Sequence, residues 1–116
     1  MNIDIRSHER TLALVQKLID MAERRDITIG SEEALDEIEN AILEYYNDRH
    51  YVPSEEEPFE AIYEGIIVKL ALSAVVKKGA EGEKSHNEGG VSRVYDTAAD
   101  YPLALTQKII PLAKGL

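Results

Sequence analysis

The chain has 116 residues, of which 44% are hydrophobic, and a net charge of −9 from 22 acidic and 13 basic side chains. One hydrophobic core accounts for a chain of this length, so we expect a single domain over residues 1–116. The absence of cysteine excludes disulfides and thiolate metal sites, and the acidic balance disfavours a protein that binds nucleic acid by neutralising phosphates.

The N-terminal half predicts a short extended arm followed by two amphipathic helices. Residues 1–6 alternate between apolar and polar side chains, and Ser7 is expected to cap the first helix. Gly30 separates this helix from the second, which starts at Ser31 and carries an apolar stripe opposite an acidic face. The charged N-terminus predicts no secretion signal, and no apolar run is long enough to span a membrane.

The third predicted helix covers roughly residues 59–78 and is apolar almost all round. Such a helix is typical of the middle of a bundle. Pro53 and Pro58 mark the loop before it, and Gly79 is expected to end it. Its apolar residues are Phe59, Ile62, Ile66, Ile67, Leu70, Ala71, Ala74 and Val75.

The helical period is lost from Gly79 to Asp100, a segment that holds four of the seven glycines. "EKSH" and "VSRVY" are expected to pair as a small hairpin around the turn "NEGG". Asp100 is expected to cap a last short helix, and Pro111 to end it before a tail over residues 111–116. The sequence therefore predicts an all-α fold: a small bundle of three main helices plus a short C-terminal helix, with a long loop or β-hairpin between the last two.

The stretch "SHNEGGVSRVYD" concentrates residues that also occur in active sites. His86 with Glu88 would suit a metal or a general base, Gly89 with Gly90 a phosphate loop, and Ser85, His86 and Asp96 a catalytic triad. None has the spacing or the flanking elements that these chemistries require, so polar residues around a turn are the favoured interpretation. We expect no enzyme, no metal site and no cofactor.

Two further patterns leave alternatives open. The six tyrosines are expected at the edges of the core rather than as a platform for stacked bases. The acidic runs "SEEALDEIEN" and "SEEEP" are expected to be solvated faces, with a purposeful acidic surface as the alternative.

The last third of the chain resembles the head–tail connector (adaptor) proteins of tailed bacteriophages. Similar members pair a Ser/Asn-Glu-Gly-Gly-x-Ser-Arg loop with a closing Tyr-Pro-x-x-Leu helix and an Ile-x-Pro tail. The corresponding residues here are Ser85 to Arg93, Tyr101 to Leu105, and Ile110 to Pro111. The length and the apolar third helix agree with the family, whereas the extended opening "MNIDIRSHER" is less typical of it.

The resemblance implies a structural virion protein that forms a ring, usually of twelve copies, below the portal protein. Such a ring lies in the neck, contacts a downstream neck, stopper or tail protein, and extends the channel through which genomic DNA passes without sequence-specific binding. We expect assembly in the host cytoplasm and no contact with a membrane. The implied portal-docking tail consists of Ile110, Pro111, Leu112 and Leu116.

The long loop is expected to be the joint between neighbouring subunits, since a closed ring needs a donor on one side and a receptor on the other. Arg93 is expected to reach acidic residues of the adjacent copy, such as Glu32, Glu33, Asp36 or Glu39. The alternative function is a small acidic helical module that binds a partner without forming a ring, and a hydrolase using His86 is a more distant one. The residues of the expected joint are Ser85, His86, Asn87, Glu88, Gly89, Gly90, Val91, Ser92, Arg93 and Tyr95.

Overall fold

The computed structural model of the protein describes residues 4–85 and 101–112, with side chains up to Lys78 in the third helix. Within these ranges the chain forms four α-helices and no strand: α1 (Glu9–Glu23), α2 (Ser31–Arg49), α3 (Glu64–Ser85) and α4 (Leu103–Thr106). A short 3-10 turn, Ala61–Tyr63, leads directly into α3. The prediction of three main helices and a short C-terminal helix is confirmed. No helix in this part of the chain combines the length and hydropathy needed to cross a bilayer.

The three long helices pack pairwise on one another, and α3 also contacts α4. Helix α3 thus lies in the middle of the bundle, as its apolar pattern predicted. Each long helix buries large aliphatic side chains in a common core, where removal from water supplies the main stabilisation. The fully buried ones include Leu14 and Leu18 of α1, Ile38 and Ile42 of α2, and Ile67 and Leu70 of α3.

Helix α1 is capped by His8 and not by Ser7. The imidazole Nδ1 of His8 accepts a hydrogen bond from the backbone N–H of Arg10 at 3.1 Å. The Nε2 atom therefore carries the proton and donates to the carbonyl of Glu55 at 2.6 Å. The prediction at Ser7 is wrong because its hydroxyl donates to the carboxylate of Asp4 instead, at 2.8 Å.

The N-terminal arm is docked on the bundle from residue 4 onward. Ile5 is buried with the core, and residues 5–7 form a turn. The guanidinium of Arg6 donates to Asp36 at 3.0 Å and also to Glu39, both on α2. An extended arm over residues 1–6 is therefore wrong for residues 4–6, because a buried side chain and a double ion pair hold them to α2.

Helix α3 starts later and ends later than the sequence predicts. Phe59 lies before the 3-10 turn and is fully buried. At the other end the helix continues through Gly79 to Ser85, so "EKS" is helical and cannot be the first strand of a hairpin. A glycine costs a helix only about 1 kcal/mol, which does not end a helix already anchored in a core. The predicted turn and second strand lie outside the described residues.

The C-terminal helix is a single turn. Its N-cap is Pro102, whose φ of −61° suits the residue before a helix, and not Asp100. The helix ends at Thr106, before Pro111 is reached, and two further turns bring the chain to the buried Ile109. Helix α4 therefore places the following residues against the body of the bundle.

The core packing predicts a contrast between two leucines of α1. Leu18→Ala should lower the free energy of unfolding by about 2 to 5 kcal/mol, because it leaves a cavity in a fully buried site. Leu12→Ala, at a position that is 47% exposed, should change it by less than about 0.5 kcal/mol. Urea titration of both variants measures the difference. Equal losses would contradict the assigned face of α1.

Candidate functional site

The predicted docking tail begins in a segment that we call the C-terminal segment, residues 109–112. Ile109 is buried, whereas Ile110 and Leu112 are 63% and 39% exposed. Two large apolar side chains are thus presented to solvent next to a buried anchor. Such a pair is a candidate contact site for another protein.

The backbone of this segment is held in place by hydrogen bonds to the bundle. The N–H of Leu112 donates to the carbonyl of Arg49 at 2.8 Å, and the N–H of Ile110 donates to the hydroxyl of Tyr63 at 3.3 Å. The Nη1 atom of Arg49 donates to the carbonyl of Ile110 at 2.6 Å. The segment is therefore fixed to α2 and to the start of α3, while its outward side chains remain uncovered.

Arg49 is itself held by Glu60. Its Nε and Nη2 atoms donate to the two carboxylate oxygens of Glu60 at 2.8 and 3.0 Å. The hydroxyl of Tyr45 donates to the same carboxylate and accepts the backbone N–H of Glu60 at 3.1 Å. The Arg49 guanidinium is the main reason that the pKa of Glu60 lies below its ordinary value, and Tyr45 adds to the effect. This carboxylate therefore stays ionised and keeps Arg49 pointed at the C-terminal segment.

A cluster of tyrosines surrounds this ion pair. The Tyr45 ring lies 5.4 to 5.8 Å, centre to centre, from those of Tyr46, Tyr51 and Tyr63. Arg49 also lies over the Tyr63 ring, 5.0 Å from its centre. Burial raises the pKa of Tyr46 to about 12, so its hydroxyl remains a donor, in this case to the carbonyl of Pro58 at 2.7 Å. The interpretation of these tyrosines as core-edge residues is supported, and Tyr101 is buried as well.

An open groove of about 470 Å³ lies beside the C-terminal segment. One wall is the last turn of α2 and the other is α4 with the segment that follows it. Asp48 contributes the acidic group of this groove. The lining residues are Asn47, Asp48, His50, Leu103, Thr106, Gln107, Ile109 and Pro111.

Asp48 and Glu44, one turn apart on α2, form a pair of carboxyl groups. Partial burial raises the pKa of Glu44 to about 7, and the hydrogen bond to Asp48 and the negative charge of that residue contribute further. Oδ2 of Asp48 and the hydroxyl of Tyr101 are buried without a hydrogen-bond partner in the protein. Glu44 is therefore protonated to a larger extent near neutral pH than an ordinary glutamate.

Of the predicted joint between subunits, Ser85 alone belongs to the described residues. Ser85 is the last residue of α3, and His86 to Tyr95 and Leu116 lie outside the described residues. Their proposed acidic acceptors are partly occupied within the chain: Arg6 binds Asp36 and Glu39, and Lys78 lies 3.9 Å from Glu33. The described acidic face is thus less open to a neighbour than the sequence suggests.

Arg49 and Glu60, on which the position of the C-terminal segment depends, are not among the residues that the sequence predicts to be functional. Glu60 lies between Glu57 and Glu64 in the sequence, so its charge does not distinguish it from its neighbours. Nothing in the local pattern shows that Arg49 is its partner. The link arises from the turn that brings the loop back onto the end of α2.

The described histidines have structural roles. His8 caps α1, and His50 ends α2 in the left-handed conformation with φ of 62°. In the described part of the chain, no three His, Asp or Glu side chains are grouped so that they could hold a metal ion.

The comparisons with known proteins add no family assignment. The sequence matches no protein-family model and no curated protein, and no solved structure matches it.

The network around Arg49 predicts which amides depend on it. Arg49→Lys removes the bidentate pairing with Glu60 and the bond to the Ile110 carbonyl, so hydrogen exchange at the Ile110 and Leu112 amides should become at least about tenfold faster. The amide of Leu18 in the core should be unaffected. Tyr63→Phe is the matched control, because it removes only the acceptor of the Ile110 amide. Unchanged exchange in Arg49→Lys would show that the segment is held by other contacts.

The carboxyl pair predicts a pH dependence of stability. The pKa of Glu44 is about 7 in the folded protein against an ordinary value of 4.5, so the folded state binds the extra proton between these values. Its contribution is complete below pH 4.5 and is lost as the pH rises through 7. Since Glu44 is partly solvated, we expect a loss of about 1 to 2 kcal/mol.

Glu44→Gln keeps a donor towards Asp48 and should remove this loss. Urea titration at pH 5 and pH 8 measures it, with Glu32→Gln, at an exposed position of the same helix, as the control. Glu60 acts in the opposite direction, because its lowered pKa stabilises the fold above its ordinary pKa and this stabilisation is lost in acid. A Glu44→Gln variant that loses as much stability at pH 8 as the wild type would contradict the assignment.

Proposed function

We propose that this chain is a structural subunit of a bacteriophage neck, a head–tail connector that binds the portal protein and forms a ring. The observation that carries the proposal is the C-terminal segment, whose backbone is fixed while Ile110 and Leu112 face solvent. Its position in the chain is the one that the resemblance assigns to the portal-docking tail.

A preordered segment suits this role on physical grounds. Binding orders both partners, and a segment that is already held loses less conformational entropy on docking. The exposed Leu103 on α4, which also lines the adjacent groove, extends the apolar surface available to a partner. The helical bundle agrees with the fold that the resemblance implies, and the segment Ser85–Tyr95 remains the proposed joint between copies. The proposed location is the virion neck.

The alternative is a small acidic partner-binding module without a ring, and it uses the same exposed surface. The net charge of −9 suits either function. In the ring, repeated negative charge along a channel would keep DNA from adhering. In the module, the charge would favour a basic partner. Negative-stain images of the protein with the portal protein of its own genome separate the two, because the module forms no ring.

The docking role predicts a binding defect without a folding defect. Ile110→Asp combined with Leu112→Asp should change the free energy of unfolding by less than about 0.5 kcal/mol, since both side chains are exposed. Binding to the portal protein should weaken at least about tenfold, because each apolar side chain buried at a contact contributes more than that factor. Surface plasmon resonance measures binding, and circular dichroism measures folding.

Leu12→Asp is the matched control, because Leu12 is also an exposed leucine but lies on α1, away from the segment. It should bind the portal like the wild type. Normal binding by the double variant would remove the C-terminal segment from the docking site. Failure of the wild-type chain itself to bind would contradict the proposed function.

A further inference from the structure

A second groove, which we call the basic groove, opens between the end of α1, the middle of α3, and α4. Its volume is about 440 Å³. The floor is apolar and the rim carries three cationic side chains, which is unexpected on a chain with a net charge of −9. The floor consists of Met21, Leu72, Val76 and Leu105 beside Ser73, and the cations are Arg25, Lys69 and Lys77.

Two of these cations have no ion-pair partner among the described residues. Arg25 and Lys69 are exposed, and no described acidic group lies within the 4.0 Å of an ion pair. Several cations elsewhere do have such partners, among them Arg10 with Glu64 and Lys78 with Glu37. The basic groove therefore has the charge and the apolar floor to take an acidic segment that carries an apolar side chain.

The loop between α2 and the 3-10 turn has the complementary character. Residues 55–57, which we call the acidic loop, are three consecutive exposed glutamates, and none has a cation within 4.0 Å in the described part of the chain. Val52, in the same connection, is 85% exposed. This loop thus combines acidic groups with an uncovered apolar side chain.

The acidic loop is rigid at its backbone. The carbonyl of Glu57 accepts from the Tyr51 hydroxyl at 2.8 Å and from the N–H of Ser54 at 3.2 Å. The carbonyl of Glu55 accepts from His8 at 2.6 Å, and the N–H of Glu57 donates to the Ser54 hydroxyl at 3.1 Å. Its carboxylates are therefore presented on a fixed frame, which lowers the entropic cost of docking.

The acidic loop cannot reach the basic groove of its own chain. His8 ties the loop to the N-terminal end of α1, whereas Met21 and Arg25 place the groove at the C-terminal end. The 15 residues of α1 separate these ends by about 22 Å. A contact between the two surfaces must therefore join different molecules.

We propose that the basic groove of one copy binds the acidic loop of a second copy, with Val52 against the apolar floor and the glutamates at the rim. The contact uses different surfaces on the two partners, so it propagates head to tail and closes into a ring where the rotation permits. This inference rests on the proposed function and deepens it, because it names a second pair of surfaces, besides the proposed joint at residues 85–95, by which copies of a connector would associate. It needs no contact with the portal protein.

Charge reversal tests the pairing. The loop variant carries Glu55→Lys, Glu56→Lys and Glu57→Lys, and its net charge changes from −9 to −3. The groove variant carries Arg25→Glu and Lys69→Glu, and its net charge changes from −9 to −13. The two variants change the net charge in opposite directions, so a general charge effect would move association in opposite directions. The docking contact predicts loss of association in both.

Sedimentation velocity of the full chain at low salt is the measurement, since exposed charge pairs are screened at high ionic strength. The wild type should self-associate at concentrations up to about 1 mM, and each variant alone should be monomeric. An equimolar mixture of the two variants should self-associate, because the unchanged groove of one variant meets the unchanged loop of the other and the reversed loop meets the reversed groove. A chain carrying all five substitutions should self-associate again.

Circular dichroism of each variant confirms that the helices are retained. Monomeric wild-type protein at about 1 mM, a mixture that stays monomeric, or a loop variant that associates like the wild type would overturn the inference. Portal binding separates this failure from that of the proposed function. Rings on the portal that are insensitive to both variants contradict the inference alone. Association restored in the mixture of a protein that binds no portal contradicts the proposed function alone.

Discussion

The carboxylate of Glu60 joins three parts of the molecule that are distant in sequence. Glu60 precedes α3, and its carboxylate accepts hydrogen bonds from Arg49 and Tyr45 of α2. Arg49 in turn donates to the carbonyl of Ile110. A partly buried charge is costly unless its lone pairs are satisfied, and here both oxygens accept hydrogen bonds from a guanidinium. The end of α2, the entry to α3 and the C-terminal segment are therefore positioned by one acceptor.

The helices could be predicted from the sequence because burial of one helix face requires apolar side chains to recur at helical spacing. Their ends could not, since they are decided by competition between local partners. Ser7 has the chemistry of a cap, yet its hydroxyl binds Asp4, and Gly79 has the chemistry of a stop, yet α3 continues to Ser85. The apolar character of residues 110–112 could also be predicted from the sequence. Their attachment could not, because it depends on the pairing of Arg49 with Glu60, which no periodic pattern indicates.

Charge is distributed unevenly over the described surface. Several cations, including Arg6 and Arg49, neutralise carboxylates of their own chain, while Arg25 and Lys69 remain at one end of α1 and the acidic loop lies at the other. Two copies of a molecule with opposite charges at its two ends repel each other when their like-charged ends face each other. They favour a head-to-tail approach. In the proposed connector, this asymmetry would favour contacts between unlike ends, which a closed ring requires.

The C-terminal segment is attached mainly through main-chain atoms: the N–H and carbonyl of Ile110, the N–H of Leu112 and the carbonyl of Arg49. Main-chain groups are the same whatever side chains they carry, so this attachment does not depend on which residues occupy positions 110 and 112. In the proposed connector, substitutions there could follow changes in the portal surface without a matching change in the bundle. Exchanging these two side chains would then be a direct way to redirect such a connector to a new partner.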